Sequence, residues 1–212
     1  MATLGEYISK GSGTTKLLLH LNGNSTDDSG NSNNGTDTSI TYSQANGRFG
    51  QGAGFNGSSS KITLTTNPNP TIFTFSFWCK ISGGSVIGSN TTGQGNLNIQ
   101  TTPLNGTIIL IKSGLVIIGT SNTGSTFSNI WTNFIITYNQ TTGVFNFYRD
   151  GKPYGSGTNI QTLTSATLNL GRNDSGEWLS GALDEVILEN VAWTPAQIAK
   201  YYSMTKGRFG IF

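Results

Sequence analysis

The sequence predicts an all-β protein: two antiparallel sheets packed as a sandwich, with one short C-terminal helix. Three observations predict it. Apolar residues fall in short runs rich in Phe, Ile, Val, Trp and Tyr. Gly, Ser, Thr and Asn separate these runs at regular intervals, and several runs alternate with period two. About half of the 212 residues are Gly, Ser, Thr or Asn, and only 10% are charged, against roughly 25% in an ordinary globular domain. That composition would suit a disordered chain, but the gathering of aromatic and β-branched residues into strand-length runs argues for a packed core. An all-β sandwich of this length is ordinarily one domain.

Residues 1–15 form an N-terminal arm containing Gly11-Ser-Gly-Thr-Thr, and the sandwich is expected over residues 16–203. Lys16-Leu-Leu-Leu-His-Leu is the first apolar strand, and His20, the single histidine, is expected to be a structural residue within it. The glycine-rich stretch from Gly47 to Gly57 lacks the lysine of a phosphate-binding loop and is expected to be a turn leading into a strand. In Phe73-Thr-Phe-Ser-Phe-Trp-Cys, residues Phe73, Phe75, Phe77 and Cys79 share one face, and Thr74, Ser76 and Trp78 share the other. Ile108-Ile-Leu-Ile and Leu115-Val-Ile-Ile are apolar on both faces, as suits strands covered on two sides. In Val144-Phe-Asn-Phe-Tyr-Arg-Asp-Gly-Lys, Asp150-Gly151 marks a hairpin turn. Ser, Thr, Asn and Gly are expected on solvent faces. A buried-strand pattern from Ser180 to Asn190 carries Asp184, and then Thr194, Pro195 and Gln197 spell a helix start, with Ile198, Tyr201 and Tyr202 spaced to dock on the sandwich. Residues 204–212 form an apolar tail in which Phe209, Ile211 and Phe212 are expected to dock, either on the chain's own sandwich or on a neighbouring subunit.

Six stretches in register resemble the concanavalin-A-like, laminin-G-like jelly rolls: Leu18-Leu-His-Leu-Asn-Gly with Asp28-Ser-Gly-Asn-Ser-Asn-Asn-Gly; Gly47 to Gly57; Phe73 to Lys80; Trp131 to Tyr138; Phe147 to Lys152; and Gly181-Ala-Leu-Asp-Glu-Val with its trailing Thr194 helix. The resemblance spans about residues 16 to 203 and implies a two-sheet jelly-roll sandwich. It also implies one structural calcium ion held by the side chains matching those of relatives, Asp28 and Asp184, with Asn56 adding an oxygen. Relatives usually carry Asp where Asn56 stands, which would lower the charge of the site. The alternative is that these aspartates only accept backbone hydrogen bonds in turns.

Composition narrows the partners. Net charge is +2, and Lys and Arg are scattered singly, so no basic stripe for nucleic acid exists. No stretch resembles a signal peptide or membrane span, and Cys79, the single cysteine, is expected as a buried apolar side chain. Combined with the surface rich in Thr, Ser, Asn and Gly, the resemblance points to a bacteriophage structural protein, made in the host cytoplasm and carried in the virion. It would decorate a capsid or form part of a tail or fibre, with other virion proteins or copies of itself as partners. A second reading is a free-standing lectin-like module. Trp178 follows the polar turn Arg172-Asn-Asp-Ser-Gly-Glu, so it is the candidate aromatic platform for a host-surface glycan, with Asn173 and Asp174 beside it; Trp78, Trp131 and Trp193 are expected in the core.

A third reading, a polysaccharide hydrolase, requires two carboxyl groups about 5–5.5 Å apart for retention or about 6.5–9.5 Å for inversion. The candidates Glu185 and Glu189 would face one side of the last strand, separated by roughly 13 Å at about 3.3 Å per residue. The glucanases that the chain resembles use Glu-x-Asp-x-Glu, and Ile187 stands where the middle aspartate should be. A non-enzymatic protein is expected.

Overall fold

Alternation along residues 72–89 builds the centre of the molecule. The computed structural model describes residues 13–65, 70–89, 97–112, 116–121, 126–163, 167–173 and 176–207. Among these are fourteen strands: β1 (Thr15–Leu19), β2 (Gly35–Thr38), β3 (Thr41–Ser43), β4 (Gly52–Asn56), β5 (Lys61–Leu64), β6 (Ile72–Ser89), β7 (Leu97–Thr102), β8 (Thr107–Lys112), β9 (Val116–Thr120), β10 (Thr132–Asn139), β11 (Val144–Arg149), β12 (Lys152–Thr158), β13 (Leu168–Leu170) and β14 (Ser180–Glu189). A single α-helix, α1 (Pro195–Thr205), follows them. Phe209, Ile211, Phe212 and Leu115 lie outside the described residues. The sheet takes in Thr15 from the expected arm, and α1 extends two residues past the expected sandwich boundary.

All the strand pairs are antiparallel. One sheet runs β12-β11-β10-β6-β14, and the far edge of β14 is shared by β4, beside its first half, and β1, beside its second; β3 flanks β4. The other sheet runs β9-β8-β7-β6-β13-β5-β2. The 18-residue β6 belongs to both. It passes from one sheet to the other at Gly83 and Gly84, whose φ angles of 156° and 101° suit glycine. This layered antiparallel arrangement is the predicted jelly-roll sandwich.

Between the layers lies the main core. Phe73, Phe75, Phe77 and Cys79 fill one face of β6 as their parity predicts, each 1% exposed or less. They meet Phe134, Ile136 and Tyr138 from β10, Phe145 and Phe147 from β11, and Leu183, Val186 and Leu188 from β14. Burying one such phenylalanine contributes about 2–3 kcal/mol before entropy is counted. Cys79 is buried here, which pushes its thiol pKa upward and makes it chemically inert.

On the opposite face of β6, Thr74 and Ser76 differ from the solvent exposure expected of Ser and Thr, whereas Trp78 is in the interior as expected. Thr74, Ser76 and Trp78 are all buried, because α1 and its lead-in cover this face and build a second cluster of Leu18, Ile135, Tyr148, Ile187, Trp193, Ile198 and Tyr201. The hydroxyl of Thr74 is satisfied there: it donates to the Val191 carbonyl at 2.7 Å and accepts from the Trp193 amide at 2.8 Å. Tyr202 stacks on Trp78 with centroids 5.9 Å apart.

The helix starts as its sequence specifies. The Gln197 amide donates to Thr194 Oγ1 at 3.3 Å, and the Thr194 amide donates to Gln197 Oε1 at 2.8 Å, closing a capping box with Pro195 in the first turn. Thr194→Ala is expected to lower stability by about 1 kcal/mol, read as a shift of the urea midpoint at unchanged slope. An unchanged midpoint would show that docking alone holds the helix.

Candidate functional site

The aspartate of β14 is placed by a bulge. Glu185 adopts φ 50°, and the register of β14 against β6 slips between Asp184 and Ile187. Leu183 and Val186, three residues apart, therefore both reach the core, and Glu185 becomes the extra residue that escapes it. Asp184 is 0% exposed, and its Oδ2 accepts the backbone amides of Arg48 and Phe49 at 2.7 and 2.8 Å. Burial, and then the neighbouring Glu185 charge, push its pKa up to about 7 against those hydrogen bonds. Arg48 lies above, its guanidinium carbon 4.8 Å from the Trp78 ring centroid. Asp184 thus ties the glycine-rich turn at residues 47–50 onto the sheet.

On the other side, Glu185 Oε2 lies 2.9 Å from His20 Nδ1, and Asp28 lies 3.9 Å from His20 Nε2. Asp28 is largely open to solvent, with 44% side-chain exposure. The buried carboxylate of its loop is instead Asp27, which sequence reasoning missed. Asp27 Oδ1 accepts the amides of Leu18 and Ser29, and Oδ2 accepts the Asn33 amide and the Ser29 hydroxyl. The Asp-x-Ser spacing of an Asx turn was the available signal.

The three positions of the expected calcium site each have partners of their own. Asn56 pairs with Ser180 in register, four residues from Asp184, and its Oδ1 accepts the amides of Ser58, Ser59 and Ser60. One Asp184 oxygen is taken by backbone amides, and Asp28 faces the imidazole. Among the described residues no group of three or more His, Cys, Asp or Glu side chains is placed to hold a metal ion.

The two glutamates considered for hydrolysis are each held by a different partner. Glu185 turns to His20, whereas Glu189 accepts the Thr15 hydroxyl at 2.7 Å, and both are buried. His20 has the structural partnership expected of it.

The turn after β13 carries the candidate binding residues. Trp178 is half-buried, and Arg172 forms an isolated antiparallel bridge with it. The Arg172 guanidinium carbon stands 4.9 Å from the Trp178 ring centroid. Asn173 is 0% exposed: its Oδ1 accepts the Glu177 amide at 2.9 Å, and its Nδ2 donates to Glu177 Oε2 at 2.8 Å. Asn173 therefore fixes the turn and does not face a ligand, a correction to the expected sugar contact. Asp174 lies outside the described residues. Arg172 and Glu177 were not singled out, although they flank and close the same polar turn. Of the other tryptophans, Trp78 and Trp193 are buried as expected, whereas Trp131 is only half-buried.

Two depressions mark the outer face of the sheet that carries α1. One, of about 380 Å³, is lined by Ser39, Thr41, Asn46, Asn56, Lys80 and Asn129 among others. The second, of about 430 Å³, lies over β11 and β12, lined by Asn146, Tyr148, Pro153 and Ser156. Both have the size of small-ligand sites; the walls of the first are mixed, with Ala45, Phe55 and Ala182 among them, and those of the second are more polar.

Comparison with known proteins extends the geometry. Domain 4 of an extracellular arabinanase from Geobacillus stearothermophilus, solved with arabinotriose, superposes with a TM-score of 0.71 at 23% identity, covering 89% of this chain and 99% of that one. The binding domain of Paraclostridial Mosquitocidal Protein 1 gives 0.71 at 17% identity, over 92% of this chain and 53% of that one. The binding domain of botulinum neurotoxin DC, solved with rat synaptotagmin II, gives 0.68 at 14% identity, over 91% and 52%. The chain thus spans about half the length of these two toxin domains. No curated protein matches the chain. A family model described as the concanavalin A-like lectin/glucanases superfamily matches residues 55–199, which run from the end of β4 into α1. With the sandwich and its β6 and β14 centre in place, the chain belongs to the concanavalin A-like lectin/glucanase superfamily.

Proposed function

We propose that this chain is a non-enzymatic glycan-binding sandwich that serves in a bacteriophage particle, on a capsid, tail or fibre. The observation that carries the glycan reading is the half-buried Trp178 ring at the lip of a turn fixed by Asn173 and Glu177. A rigid, partly open indole offers the apolar face of a sugar a surface that needs no ordering on binding. The arabinotriose held by the arabinanase domain shows that a sandwich of this shape accommodates a short oligosaccharide, in that protein. The separate anchoring of Glu185 and Glu189 favours binding without hydrolysis. The particle setting is supported by the composition alone, low in charge and rich in Gly, Ser, Thr and Asn.

Trp178→Ala is expected to weaken binding of a responsive oligosaccharide at least tenfold in calorimetric titration while leaving the thermal midpoint within a few degrees. Retained affinity would move the site to one of the two outer depressions. Cleavage of the oligosaccharide over hours would overturn the non-enzymatic reading.

A further inference from the structure

Gly88 explains how the polar turn sits where it does. A Cβ on Gly88 would lie 2.5 Å from the Asn173 Cα and 2.8 Å from the Arg172 carbonyl oxygen, so only glycine admits the chain there. The backbone of Arg172 and Asn173 is thereby laid directly on β6. The Gly171 amide is bonded to Val86 O, and the Leu179 amide to Gly171 O, so both ends of the turn are fixed. Inside it, Asn173 and Glu177 satisfy each other. Arg172 and Trp178 face one another across this braced turn.

Among the described residues no carboxylate forms an ion pair with Arg172, and its Nε is buried with no hydrogen-bond acceptor. Glu177, the acidic group in the same turn, gives Oε2 to Asn173. A buried N–H without an acceptor is costly. The half-buried guanidinium is held against the Trp178 ring instead, so its fork is oriented before any ligand arrives. Planar guanidinium recognises carboxylate through two parallel hydrogen bonds, a geometry that ammonium cannot supply.

Resting on the reading of Trp178 as a sugar platform, we infer that the Arg172–Trp178 pair selects acidic sugars, specifically hexuronate residues. The pyranose ring packs on the open part of the indole, and its C6 carboxylate reaches the guanidinium. The methyl ester of such a sugar keeps the ring and loses the charge.

The experiment is a calorimetric titration of the intact chain with trigalacturonate and with its methyl ester, for the wild-type protein, Arg172→Gln and Arg172→Lys. Wild type is expected to bind the acid at least tenfold more tightly than the ester, and Arg172→Gln should bring the two to within about twofold by weakening binding of the acid. Arg172→Lys should keep only part of the preference. If the ester binds as well as the acid, or if the preference survives Arg172→Gln, acid selection is overturned and the glycan reading stands. If neither trimer binds wild type at millimolar concentration, hexuronate selection falls, and the glycan reading is left to the Trp178→Ala titration with a neutral oligosaccharide. Equal thermal midpoints for the three proteins exclude unfolding as the cause of any loss.

Discussion

Asp184→Ala should destabilise the domain by about 2–6 kcal/mol, because it strips a hydrogen-bond acceptor from two backbone amides at about 1–3 kcal/mol each. The amides belong to Arg48 and Phe49, so the glycine-rich turn should loosen first. Asp184→Asn keeps an oxygen in that position but cannot ionise, and it isolates the charge. The folded carboxyl holds its proton up to about pH 7, whereas in the unfolded chain it loses it near pH 4. Between those values the folded state binds the extra proton, so stability falls as pH rises from about 4 to about 7 and levels off beyond. The decline attributable to this group is at most about 4 kcal/mol, from about 3 units at 1.36 kcal/mol each. Urea midpoints at pH 4, 5.5 and 7.5 should slope downward for wild type, and Asp184→Asn should lose that part of the slope. A wild-type curve that rises across this window, with Asp184→Asn parallel to it, would overturn the assignment.

Phe134→Ala is the second large effect, expected at about 3–5 kcal/mol. The ring is fully buried and touches Phe77, Phe127 and Tyr154, with centroids 6.0, 4.8 and 6.3 Å away. It fastens the loop carrying Phe127 to the core, so the space it leaves cannot close by movement of β10 alone. At about 2–4 °C per kcal/mol for a domain of this size, the thermal midpoint should fall by roughly 6–20 °C. A fall of only a degree or two would show that the loop collapses into the space.

The period-two runs of β6 and β11 were legible because one face of each is packed by the opposite sheet. Less legible was the burial of Thr74 and Ser76. It depends on a helix over a hundred residues away, and parity along a single strand carries no information about a second covering layer. Strands β2 and β3 escaped notice because Gly-Thr-Asp-Thr and Thr-Tyr-Ser hold no apolar period; neighbours impose their extended form. At the site, Asp184 was legible as a special residue, but its role follows from the bulge at Glu185, a left-handed residue that the sequence does not mark. Asp27 and Asp28 are adjacent and chemically identical. Which one turns inward is decided by the amides of Leu18, Ser29 and Asn33, groups that every sequence contains. Trp178 was found from its turn, whereas Arg172 was passed over because the bridge that brings it to the ring exists only in three dimensions.

The hand-over of β6 between the two sheets, together with the pairing of β1 and β14, has a kinetic consequence. The first strand of the sandwich finds its partner only when residues 186–189 are available, a loop closure of about 170 residues. Until then Leu17 and Leu19 lack the neighbour that buries them, and β6 presents an unmatched edge along its first half. Folding of this chain should therefore be slow and strongly cooperative. During synthesis the nascent sandwich would carry an exposed, association-prone edge until its last strand emerges.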